Sequence, residues 1–158
     1  MDPRANLFES PVTLRAMKHL TAADAATHDV LPETTRELVK IRASQINGCG
    51  LCLDMHTKDA AEAGEAALRL NLVATWREAD VFDEAEKAAL ALTEVGCRIA
   101  DGGEVPDEVW GEAARHYDDE QMVALVSQIA NINAFNRINV LTRQRAGHYR
   151  PGQFTAAS

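Results

Sequence analysis

The chain has 158 residues, enough for one domain with a sizeable core, and a formal net charge of -8 with only 5% aromatic residues. That balance supplies neither the basic surface nor the stacking side chains that nucleic-acid binding requires, so DNA and RNA are not expected partners. No stretch approaches the roughly 20 apolar residues of a membrane span, and residues 1–11 have no basic segment leading into an apolar run, so a single soluble, cytoplasmic domain over residues 1–158 is expected.

Ser10-Pro11 reads as an N-cap followed by the first helical position, opening a docking helix through Leu14, Met17, Lys18 and Leu20. Leu31-Pro32-Glu33 opens the next helix. There Leu38, Val39, Ile41, Ala43 and Ile46 form a broad apolar arc with Glu37 on its edge, and Asn47-Gly48 is the stop. The helical pattern resumes from Gly50 to Ala63 and ends at Gly64, after which a shorter helix is expected from Glu65 to Trp76. Asp83 with Glu86 three residues on has the form of a capping box, for a helix that runs through Cys97 to the turn Asp101-Gly102-Gly103. Pro106 opens a helix continuing to Tyr117, and Asp118 with Gln121 caps a last long helix from about Asp119 to Arg143.

That last helix is apolar around most of its circumference, from Met122 and Val123 to Val140 and Leu141, which predicts burial on several sides and a homo-oligomer. It also holds Asn131, Asn133, Asn136 and Asn139, whose buried amides must find partners and are expected chiefly to tie helices together. No segment alternates with period two for long enough to be a strand. The expected fold is therefore an all-α helical bundle, with a loose tail from Gly152 to Ser158.

The chemistry is concentrated between Glu37 and His56, ELVKIRASQINGCGLCLDMH. On a helix that begins after Gly48, Cys49, Cys52 and His56 fall within an arc of about 60°. The start of that helix favours thiolate over thiol, and His56, four residues after Cys52, can take its proton. If the two helices fold back on each other, Glu37 can orient His56 or relay its proton. Such a set suits two-electron chemistry, in which one thiolate attacks an O–O or S–S bond and the other resolves the product as a disulfide. The helix dipole favours Cys49 as the attacker by ~0.3–1 kcal/mol, whereas general-base assistance to Cys52 is typically ~10²–10⁴-fold, so Cys52 is expected to attack.

Three other readings compete with this one. Structural zinc needs four ligands and the motif supplies three, so no metal and no cofactor are expected. A thioredoxin-type module places its CxxC after a strand, where here IRASQING continues a helix. Two merely small core cysteines would leave the spacing a coincidence. Cys97 is expected to be buried and inert, His19, His28, His116 and His148 to be surface or capping residues, and Arg137 to pair with a carboxylate.

Glu37, Ser44, Cys49, Cys52, His56 and Ala60 within a helical hairpin resemble the signature of the alkyl hydroperoxidase D-like branch of the carboxymuconolactone decarboxylase family. WREADVFDEAEKAALALTE and IANINAFNRINV resemble the segments C-terminal to the motif in its peroxidase-related members, so the likeness covers about residues 30–142. The resemblance implies an all-helical subunit assembled as a homo-trimer or homo-hexamer that reduces a hydroperoxide substrate, re-reduced by a dithiol or disulfide-reductase electron donor. By position, Cys52 is the peroxidatic thiol, Cys49 the resolving one, and Glu37 with His56 the proton relay. Dedicated alkyl hydroperoxidases carry a histidine immediately before the second cysteine; here that position is Leu51. The alternatives are a decarboxylase of the same family, whose members generally lack the cysteine pair, and a non-catalytic oligomeric protein that senses oxidation without turnover.

Overall fold

The structure, a computed structural model, describes residues 2–154, and these are helical with no strand. In chain order the helices are α1 (Pro11–Ala25), α2 (Glu33–Asn47), α3 (Gly50–Glu62), α4 (Ala67–Leu72), a 3-10 turn (Val73–Glu78), α5 (Glu84–Cys97), α6 (Ile99–Gly102), α7 (Asp107–Ala113) and α8 (Asp119–Thr142). Among the described residues no helix is long and apolar enough to cross a membrane.

The bundle is built around α2, against which α3, α5 and α8 all pack, while α1 lies on α8 and α7 on α5. The reason is in its sequence. Leu38 and Ile41 enter an apolar cluster with Val73, Trp76, Phe82 and Leu90, whereas Val39 between them enters a second cluster with Ala88, Leu92, Leu125 and Ile129. A helix with apolar residues on so wide an arc removes them all from water only when it is covered from several sides. Where α5 meets α8 the approach is close: a Cβ on Gly96 would stand 2.9 Å from Ile129 Cγ2, so only glycine leaves room there.

The expected caps form. Asp83 and Glu86 make a reciprocal capping box at α5, as do Asp118 and Gln121 at α8, and the Ser10 hydroxyl accepts from the Thr13 N–H at 3.4 Å. Each satisfies backbone donors that a helix start leaves open.

Four expected boundaries shift, three of them for a tertiary reason. The helix expected over Glu65 to Trp76 is divided into α4 and the 3-10 turn, with Thr75 at φ -119°, and Trp76 is turned into the core with its indole N–H donating to Glu94 Oε1 at 2.9 Å. The α5 helix stops at Cys97, where Arg98 leaves helical geometry, and α6 is a separate turn. Helix α7 ends at Ala113, four residues short of Tyr117, whose hydroxyl reaches back to the Ala85 carbonyl at 2.9 Å. The tail is not loose as far as Phe154. The Gly147 and Tyr149 N–H groups donate to Asp54 Oδ2, the Tyr149 hydroxyl donates to Asp59, and Phe154 stacks on Phe8 at 5.4 Å. Residues 155–158 lie outside the described part of the chain.

Candidate active site

The site is made by the turn that joins α2 to α3. Gly48 takes the left-handed conformation (φ 67°, ψ 30°), which glycine adopts without a Cβ penalty, and the Cys49 N–H donates back to the Ser44 carbonyl at 2.9 Å. Asn47 secures the turn from its side chain, donating to Asn133 Oδ1 and Asn136 Oδ1 of α8, each at 2.9 Å. The chain therefore reverses within two residues, and α3 runs back along α2.

Cys49 is the N-cap of α3, and its sulfur accepts from the Cys52 N–H at 3.3 Å. The two sulfurs are joined as a disulfide with Cα atoms 5.4 Å apart, inside the range that a disulfide spans without moving the backbone. Both cysteines are buried, at 2% and 1% exposure. One turn beyond Cys52, His56 presents Nδ1 to Glu37 Oε2 at 3.0 Å across the hairpin. An ionised carboxylate can only accept, so Nδ1 carries the hydrogen, and in the neutral form of the imidazole Nε2 is the nitrogen that keeps a lone pair and can act as a base.

Glu37 is itself held. Its Oε1 accepts from Lys40 Nζ at 3.0 Å, and the Lys40 ammonium also meets Asp24, with Nζ 3.2 Å from Oδ1. Gln128 of α8 donates to the same Asp24 Oδ1 at 2.8 Å and accepts from the Thr27 hydroxyl at 2.9 Å. Burial works against ionising Glu37, but the hydrogen bond and charge of His56, followed by Lys40, outweigh it and hold the carboxyl down at about 2. Asp24 is likewise held low against the cost of burial, by Lys40 first and then by Gln128 and His28. The result is a chain of alternating partners, Asp24, Lys40, Glu37 and His56, leading from α1 to the cysteine helix.

Helix α8 closes the site from the other side. Asn136 donates to the Ser44 hydroxyl at 3.1 Å, and Asn139 donates to Cys52 Sγ at 3.2 Å. Among the described residues no three His, Cys, Asp or Glu side chains form a group that could hold a metal. A cavity of about 500 Å³ lined by Thr35, Arg69, Glu86, His116, Tyr117 and Gln121 includes none of the residues around the sulfurs.

All four residues singled out in the sequence, Glu37, Cys49, Cys52 and His56, come together here. Lys40, Asp24, Gln128 and Asn139 were missed. Lys40 left a signal, a lone cation inside the apolar run from Leu38 to Ile41, and Asn139 was one of four asparagines expected to serve packing. Three of those do tie elements together: Asn131 donates to the Leu20 carbonyl at 3.1 Å, and Asn133 and Asn136 hold the turn. Arg137 does not pair with a carboxylate. It donates to the Asn133 carbonyl and to Asn133 Oδ1, acceptors that lie one turn back on its own helix and are therefore reached first. Cys97 is half-buried rather than fully buried, its sulfur accepting from Asn133, with burial pushing the thiol up. His28 and His116 pair with Asp24 and Glu112, four residues back on their own chain segments.

The Glu37–His56 pair is expected to show in the pH dependence of stability. A carboxyl that titrates at about 2 in the folded protein and at 4.5 ordinarily stabilises the fold fully above 4.5, a contribution lost as pH falls towards about 2. Glu37→Gln should therefore cost about 2–3 kcal/mol at neutral pH, and its deficit against the wild type should narrow as pH drops through 4.5. Denaturant unfolding of both proteins across an acid pH series measures this, and a gap independent of pH would contradict it.

Comparison with known proteins agrees with this geometry. Residues 11–95 match the signature of the carboxymuconolactone decarboxylase family. The uncharacterised protein YdfG of Bacillus subtilis (strain 168) is 47% identical over 113 residues, which is 72% of this chain and 76% of the relative. A protein of unknown function from Agrobacterium tumefaciens, ATU0492, proposed to be the antioxidant defence protein AhpD, superimposes with a TM-score of 0.86 at 33% identity, across 94% of this chain and all of that one. The debrominase Bmp8 shares the fold, with a TM-score of 0.75 at 20% identity over 90% of this chain and 75% of its own. A signature over more than half of the residues, a close relative and the hairpin geometry lead to one conclusion: the chain belongs to the carboxymuconolactone decarboxylase family, in its alkyl hydroperoxidase D-like branch.

Proposed function

We propose that the protein is a thiol-dependent peroxidase that reduces hydroperoxides through Cys52 and Cys49. The observation that carries this reading is the buried cysteine pair one helical turn from a histidine whose Nδ1 is tied to a carboxylate, 3.0 Å away. In the reduced protein, His56 Nε2 takes the proton of the Cys52 thiol, and the thiolate attacks the distal oxygen of the hydroperoxide. The O–O bond breaks, Cys52 is oxidised to a sulfenic acid, and His56 returns the proton to the departing alkoxide, which leaves as an alcohol. The Cys49 thiol then displaces water from the sulfenic acid and forms the disulfide. A cellular dithiol, or a disulfide reductase acting like one, reduces the pair and is itself oxidised.

Glu37 acts through His56, fixing the tautomer that leaves Nε2 free. Lys40 joins His56 in keeping Glu37 charged, and Asp24 holds Lys40 in place. The second reading, a redox sensor that reacts once without turning over, draws support from the burial of both sulfurs, at 2% and 1%, which slows access by a reductant.

Steady-state consumption of hydrogen peroxide and of cumene hydroperoxide with dithiothreitol as reductant separates the two. Turnover should be continuous in the wild type, absent in Cys52→Ser, and reduced on the order of a hundredfold in His56→Gln, with a smaller loss in Glu37→Gln. Loss of two thiols per chain followed by no further peroxide consumption would support the sensor and overturn the peroxidase.

The same reading includes a homo-oligomer of three or six chains. Helix α1 has no buried residue despite its 15 residues, and Val12 and Leu14 stand exposed on it, as do Val123, Val126 and Leu141 on its neighbour α8. Apolar faces of two packed helices left open to water favour association. Sedimentation equilibrium at micromolar concentration should give three or six times the 17.2 kDa of one chain, and a monomer would contradict it.

A further inference from the structure

Three buried side-chain polar atoms among the described residues have no hydrogen-bond partner: Arg36 Nε, Asn131 Oδ1 and Asn139 Oδ1. A buried polar atom without a partner destabilises the fold, so each needs an explanation. Of the three residues, Asn139 is the one that touches a sulfur. It is 7% exposed, and its Nδ2 lies 3.2 Å from Cys52 Sγ. The orientation of this amide is dictated by chemistry: a disulfide sulfur has no hydrogen to give, so the NH2 end must face Cys52 and the carbonyl end must point elsewhere. The carbonyl oxygen of the amide that contacts this sulfur is therefore an acceptor with nothing to accept.

We propose that Asn139 is a catalytic residue of the peroxidase cycle: its N–H donates to the Cys52 sulfur as thiolate, and its unpartnered Oδ1 accepts the O–H of the incoming hydroperoxide. The inference rests on the thiol-peroxidase reading above. One planar amide thus addresses both reactants. The donor stabilises negative charge on sulfur before the attack, and the acceptor holds the distal oxygen, the one attacked, next to that sulfur. The hydrogen on the distal oxygen stays with it when the S–O bond forms and becomes the hydroxyl of the sulfenic acid, still within reach of Oδ1. The electron pair of the broken O–O bond leaves with the alkoxide, and the proton taken from the Cys52 thiol by His56 completes the alcohol. Formation of the disulfide expels that hydroxyl, joined by the proton of the Cys49 thiol, as water and frees Oδ1 for the next hydroperoxide.

Titratable groups that the hairpin brings to Cys52 include Cys49 and His56 on its own helix and, through His56, Glu37 on α2. Measurements are therefore made in the Cys49→Ser protein, where Cys52 is the thiol of the pair and His56 and Glu37 are unchanged. The pH dependence of iodoacetamide alkylation gives the Cys52 pKa without any peroxide. Asn139→Ala and the near-isosteric, uncharged Asn139→Leu should both raise it, by about one to two units, since each removes the N–H donor without adding a charge. The rate of sulfenic acid formation with hydrogen peroxide is then compared at a pH where Cys52 is thiolate in every variant. Asn139→Ala and Asn139→Leu, both lacking an acceptor, should remain about tenfold slow.

An unmoved Cys52 pKa in folded variants would overturn the donor role, and equal rates for Asn139→Ala and its parent above the pKa would overturn the acceptor role. Should Asn139→Ala fail to fold, the alkylation profile of Asn139→Leu alone decides the donor role. If instead the wild type shows no turnover while Asn139 still sets the Cys52 pKa, the peroxidase reading fails and the thiolate donor stands.

Discussion

Everything at the site depends on the reversal of the chain at Asn47, Gly48 and Cys49. A helix that continued through Gly48 would carry the cysteines away from Glu37. The left-handed Gly48 ends α2, the Cys49 amide closes on Ser44, and Cys49 begins α3 as its N-cap, so that the same residue terminates the turn and supplies a sulfur. Because α3 then runs antiparallel to α2, a residue nearly two turns into α3 meets one about three turns back along α2, which is the His56–Glu37 contact. The turn is held from outside by α8, through Asn47 to Asn133 and Asn136 and through Asn136 to Ser44.

The central helix carries an unusual burden for this. Residues of α2 that face the apolar clusters are interleaved with buried Arg36, Lys40 and Ser44, and buried polar groups destabilise a fold unless each is satisfied. Lys40 and Ser44 are satisfied by α1 and α8, which explains why a helix with no buried residue of its own, α1, ends at the site: Asp24 and Thr27 lie at its C-terminal end and anchor Lys40 and Gln128. Removing Lys40 would leave two carboxylates, Asp24 and Glu37, facing each other across a partly buried gap. Packing and chemistry are thus coupled, since the ion chain that keeps Glu37 ionised also fastens α1 to α2.

The fold was legible in the sequence because its signals are local. Capping boxes at Asp83 and Asp118, the Ser10-Pro11 start and the Asn47-Gly48 stop each depend on residues within a turn of one another, and all of them formed. What the sequence did not show was set by partners far along the chain. Trp76 left its helix for Glu94, Tyr117 left its own for the Ala85 carbonyl, and the segment through Tyr149 and Phe154 was ordered by Asp54, Asp59 and Phe8. The site divides in the same way. Cys49, Cys52 and His56 share one helix face and could be read from spacing, and Glu37 followed from the family resemblance and the hairpin. Lys40 and Asn139 reach the site from α2 and α8 with no spacing rule to announce them, although a cation inside an apolar run and an asparagine inside an apolar helix are each residues that burial must explain.

The central claim is that Cys52, served by His56, Glu37 and Asn139, is the sulfur that attacks, although the N-cap position of Cys49 gives that sulfur the N–H of Cys52. Trapping with dimedone after one equivalent of hydrogen peroxide, read by peptide mass spectrometry, tests it directly. The account predicts rapid labelling of Cys52 in the Cys49→Ser protein and no comparable labelling of Cys49 in the Cys52→Ser protein. Labelling of Cys49 in Cys52→Ser at a rate equal to or above that of Cys52 in Cys49→Ser would contradict it.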